Sequence, residues 1–84
     1  MTREDIVAMF YDTDLEFMFM DGYDDCIAGV MERYGQDPIV CYDKSKVIAK
    51  LQADGMTEEE ALEWFYVNQI GAYVGKSTPC FLAT

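Results

Sequence analysis

Residues 43–66, "DKSKVIAKLQADGMTEEEALEWFY", constrain the fold more than any other part of the chain, because they hold two helix starts with a stop between them. Asp43 suits an N-cap, and Val47, Ile48 and Leu51 then fall on one face of a helix over 44–54, with Lys44, Lys46 and Lys50 outward. Gly55 ends that helix. Thr57 and Glu60, three residues apart, form a capping box: the threonine oxygen accepts from the Glu60 amide and the glutamate accepts from the Thr57 amide. Glu58 and Glu59 occupy the first turn, where the helix dipole favours negative charge, so the acidic run reads as a helix start rather than a cation site. At about 100° per residue, Trp64, Phe65 and Tyr66 fan over about 200° of helix surface and cannot all face inward. Ala61, Leu62, Phe65 and Tyr66 define the inward stripe, which leaves Trp64 on the flank.

Elsewhere the pattern is mixed. In "DDCIAGVMERYG", Ile27, Val30, Met31 and Tyr34 stand at i, i+3, i+4 and i+7, which predicts a helix capped by Asp24 or Asp25 and stopped at Gly35. Asp37 before Pro38 is pushed to extended geometry, and "IVCY" has strand propensity. A terminal "CFL" strand follows the turn at "STP", and Thr2 with Asp5 opens a helix over 3–11 that buries Ile6, Met9 and Phe10. The expected architecture is α+β: one small, mostly helical domain over residues 1–84, with three to four helices and a short two-stranded sheet from residues near 38–42 and 79–82.

An 84-residue chain lies near the lower limit for a self-sufficient core, burying only about 60% of its unfolded surface. Three cysteines, Cys26, Cys41 and Cys80, make an odd count without a C-x-x-C pair, and histidine is absent. That excludes a disulfide framework and the familiar zinc modules, so the cysteines read as small buried hydrophobes, with no metal and no cofactor expected. No run approaches the roughly 18 apolar residues of a membrane helix, and the N-terminus lacks the basic start of a secretory signal. A cytoplasmic protein with no membrane partner is expected.

The net charge of −10 is uneven. Residues 1–25 hold eight acids against Arg3 alone, a net of −7; residues 26–56 balance; residues 57–84 carry −3. Such a surface repels nucleic-acid phosphates and attracts basic proteins. The candidate contact residues are therefore Asp12, Asp14, Glu16, Asp21, Asp24 and Asp25, with Trp64 read either as ordinary core packing or as an aromatic anchor for a partner. Catalysis has little support. The commonest general base is missing, and "GKST" at 75–78 lacks the glycine that a phosphate-binding loop needs at position 70, which is Ile70.

The segments "DGMTEEEA", "WF", "NQIGAYVG" and "TPCF" together resemble a family of short phage and prophage proteins that share D-G-M-[ST]-x-E-E-A, an aromatic pair, N-x-x-G-A-Y-V-G and T-P-x-F. The likeness covers residues 26 to about 82. It implies a phage-type origin and action in the host cytoplasm, and it assigns no activity to any residue. Charge and resemblance together lead to the expectation of a non-enzymatic protein that inhibits or regulates a basic host protein complex, of anti-defence or DNA-mimic type. The alternative is a structural or assembly accessory protein that self-associates through its aromatic face.

Overall fold

The computed structural model describes residues 1–12, 17–70, Gly75 and 78–83. Helix α1 runs Arg3–Met9, strand β1 Ile27–Arg33, strand β2 Gln36–Asp43, helix α2 Lys44–Ala53, helix α3 Glu58–Trp64 and strand β3 Cys80–Leu82. A single 3₁₀ turn, Asp24–Cys26, leads into β1, and α3 continues as a π-helical segment over Phe65–Ile70. The architecture is α+β, with three α-helices and a three-stranded sheet in the order β1-β2-β3. The first pair is antiparallel and the second parallel.

The helix starts follow from side chains that satisfy free amides. The Asp43 carboxylate accepts from Lys46 N–H at 3.2 Å, and α2 is followed by Gly55 at φ 106°. The capping boxes of α1 and α3 are both complete. In α3, Glu60 N–H donates to Thr57 Oγ1 at 3.2 Å, and Thr57 N–H donates to Glu60 Oε1 at 3.0 Å. Thr57→Ala removes that acceptor and lowers stability by about 1 kcal/mol. Urea unfolding checks this, and an unchanged midpoint would mean the box contributes nothing.

The helix expected over residues 24–34 is instead β1, and a bulge explains the mistaken period. Ile27 pairs with Tyr42 and Gly29 with Cys41, so Ala28 is an extra residue on β1. The extra residue shifts the alternation by one, which places Ile27 and Val30 on the core face at the i, i+3 spacing of a helix. Met31 and Tyr34, expected inward, are exposed. Glycine at position 29 and two β-branched residues also weigh against a helix. Asp24 and Asp25 therefore cap no α-helix, and Gly35, at φ 76°, turns the β1–β2 hairpin rather than stopping a helix. With β1 added, the expected two-stranded sheet becomes three-stranded.

The core lies between one face of the sheet and the helices. It contains Ile6, Cys26, Ile27, Val40, Tyr42, Val47, Ile48, Leu51, Ala61 and Phe65. Helix α1 packs on β1, α2 on β2 and on the 3₁₀ turn, and α3 on α2. Phe81 of β3 meets Phe65 edge-on, with ring centroids 4.8 Å apart at 81°, and so links the sheet edge to α3. The buried Tyr42 hydroxyl accepts from Met20 N–H at 2.7 Å, which ties the segment before β1 to the central strand. Met9, expected in the core, is exposed, because α1 turns mainly Ile6 inward.

Candidate functional site

The acids of the N-terminal third do not form one open surface. Asp14 and Glu16 lie outside the described residues. Asp12 is exposed, with no ion pair among the described residues. The guanidinium of Arg3, in the first turn of α1, draws two others together: Nη2 stands 3.3 Å from Asp24 Oδ1 and 3.6 Å from Asp21 Oδ1. The same group lies over the Phe19 ring at 4.7 Å, so Arg3 pins the segment before β1 onto α1. Asp25 faces another way. Its carboxylate accepts from Lys50 Nζ of α2 at 2.9 Å. Asp21 and Asp25 remain largely solvated within their pairs, whereas Asp24 is half-buried.

These contacts set a pH dependence. The Lys50 hydrogen bond holds the Asp25 carboxyl below its usual range, and the same bond raises Lys50. Backbone amides of the two capping boxes likewise lower Asp5 and Glu60. A folded-state pKa below the unfolded one contributes stability above the unfolded pKa, and the contribution is lost as pH falls through the folded value. The deficit of Asp25→Asn relative to wild type is therefore expected in full near pH 7, and it declines as pH falls below the ordinary carboxylate range and through the lower folded value. Comparing the two proteins cancels the general relief of charge repulsion on acidification. Urea midpoints measured across that range check it, and a deficit that persists at the acid end would contradict the pairing.

None of the described acids of the N-terminal third lines the groove that holds Trp64. Helix α3 rests on α2 through Ala61 and Phe65, four residues apart, so Trp64 falls about 100° off the inward stripe and is 45% exposed. Tyr66, expected inward, is exposed on the other side, where its hydroxyl accepts from Lys44 Nζ and that ammonium lies 4.7 Å from its ring. Trp64 lines an open groove of about 290 Å³ together with Met56, Glu60, Glu63, Val67 and Asn68. The backbone widens into the π-helical segment immediately after Trp64, a feature frequent at functional positions. Asn68 Nδ2 donates to the Trp64 carbonyl at 3.2 Å, which stabilises that change of winding. The groove thus presents an indole and an aliphatic wall beside two carboxylates, the surroundings that hold a lysine or arginine side chain. Residue type alone points to Trp64. Glu60 and Glu63 give no such signal, because a helix start and a helix surface account for them fully in the sequence.

The cysteines divide into two groups. Cys26 is buried; burial first, and then the Asp25 charge, push its thiol up. Cys41 and Cys80, expected as buried hydrophobes, are only half-buried on the sheet face turned away from the helices. Burial first, and then the neighbouring Cys41 thiol, push Cys80 up to about 12. The Cys80 thiol is therefore not poised as a nucleophile at neutral pH.

No protein-family model, no curated protein and no solved structure matches the chain. Among the described residues, no helix is long and apolar enough to cross a membrane.

Proposed function

We propose that this chain is a small acidic binding protein of phage type that docks on a basic surface of a host protein complex in the host cytoplasm and inhibits or regulates it without catalysis. The observation that carries the proposal is the Trp64 groove: an exposed tryptophan edged by Glu60 and Glu63, on a chain of net charge −10. A lysine or arginine from the partner meets the indole face and the two carboxylates together, while the long-range negative field favours encounter. Asp12, Asp14, Glu16 and Asp21 supply the steering charge. Asp24 and Asp25, engaged with Arg3 and Lys50, shape the surface rather than lead in binding it. The phage origin rests on the sequence resemblance.

A second reading draws on the same strip. Trp64 and Val67 are both exposed along the groove, an apolar strip that two copies of the chain cover in an assembly accessory. Capture from host lysate on immobilised wild type and Trp64→Ala, at low and raised salt, separates the two. The binding reading expects one host protein retained by wild type at low salt, released by salt and weakly held by Trp64→Ala. A lack of any Trp64-dependent host protein, together with concentration-dependent dimerisation in sedimentation, would favour self-association instead.

A further inference from the structure

The open face of the sheet gathers three sulfur atoms from three strands. Cys41 and Cys80 are register partners in the parallel β2–β3 pair, so their side chains leave neighbouring strands on the same face. Met31 belongs to β1, which does not neighbour β3, yet its side chain reaches across so that Sδ lies 3.8 Å from Cys80 Sγ. Gly29 is the β1 partner of Cys41, and among the described residues beyond its chain neighbours no atom lies within 4 Å of where its Cβ would stand, so no β1 side chain stands opposite Cys41. Asp43, the next β2 residue on this face, already caps α2. The chain contains no histidine.

We infer that Met31, Cys41 and Cys80 form a binding site for one soft monovalent d¹⁰ cation, cuprous copper being the representative case. Ligands about 2.3 Å from a common centre stand about 3.8 to 4.0 Å apart in tetrahedral or trigonal arrangement, and the Met31–Cys80 sulfur separation of 3.8 Å matches that edge. Thiolate and thioether donors together select Cu(I) over hard or borderline cations. Binding replaces two S–H bonds by two Cu–S bonds, with the thioether as a neutral third donor. Two protons go to solvent, the protein–metal unit gains one net negative charge, and copper stays in the +1 state throughout. Cys26, buried on the other side of the sheet among the core residues, takes no part.

The test is anaerobic titration of the full chain with Cu(I), kept reduced by ascorbate, against the coloured Cu(I) chelator bathocuproine disulfonate. Wild type is expected to withdraw one equivalent from the chelator. Cys41→Ser and Cys80→Ser are each expected to lose this capacity, Met31→Leu to compete at least about tenfold less well, and Cys26→Ser to match wild type. Because Met31 is exposed, Met31→Leu stays informative even if a cysteine variant folds poorly. Failure of wild type to compete, equal competition by Met31→Leu, or loss in Cys26→Ser would each overturn the site. So would zinc held as tightly as Cu(I).

Discussion

Phe65→Ala is expected to lower the unfolding free energy by about 3–5 kcal/mol, the range for deleting a buried aromatic ring. Phe65 has no exposed surface, and its ring meets Phe81 of β3 and Tyr66 edge-on. Removing it opens a cavity between α3 and the sheet and takes away the ring contact that links β3 to the end of α3. At about 0.05–0.15 kcal/mol per residue, an 84-residue domain has only about 4–13 kcal/mol in total, so this variant loses a large share of it. Urea unfolding followed by far-ultraviolet circular dichroism checks it. A loss below about 1 kcal/mol would show that α3 does not depend on this ring.

Trp64→Ala, one residue away, is expected to do the opposite: little to stability and much to binding. Its exposed indole adds no comparable core contact, so the fold should lose less than about 1 kcal/mol. As an anchor in the groove, it should account for about 2 kcal/mol or more of affinity, roughly a 30-fold faster dissociation from the partner. The two neighbouring aromatics are therefore separated by which measurement each one moves. A Trp64→Ala protein that unfolds like Phe65→Ala would place the indole in the core and remove the proposed anchor.

The parts of this fold written in local chemistry are legible in the sequence alone. The capping pairs Thr2–Asp5 and Thr57–Glu60, the Asp43 cap and the Gly55 stop each need only residues within a turn of one another, and each is present. Strand β1 is not legible, because the Ala28 bulge converts a period of two into the i, i+3 spacing of a helix. Helical period alone assigns Met9 and Tyr66 to the core, yet a period fixes a face and not how widely the neighbouring element covers it. The N-terminal acids read as a uniform surface because Arg3 and Lys50 lie 18 to 25 residues from Asp21, Asp24 and Asp25, and only the loop before β1 brings them together. The three-sulfur cluster depends on the parallel register of β2 with β3, which no local pattern encodes.

The acidic surface is proposed to steer this chain onto a basic partner through its negative field. The most direct measurement is the association rate of the captured partner with wild type and with the variant carrying Asp12→Asn, Asp14→Asn, Glu16→Gln and Asp21→Asn, at low and at high salt. This variant leaves the Asp24 and Asp25 ion pairs in place. The expected result is several-fold slower association of the variant at low salt, with dissociation little changed and the two association rates converging as salt is raised. Equal association rates at both salt concentrations would contradict the account and reduce the acidic surface to a solubility device.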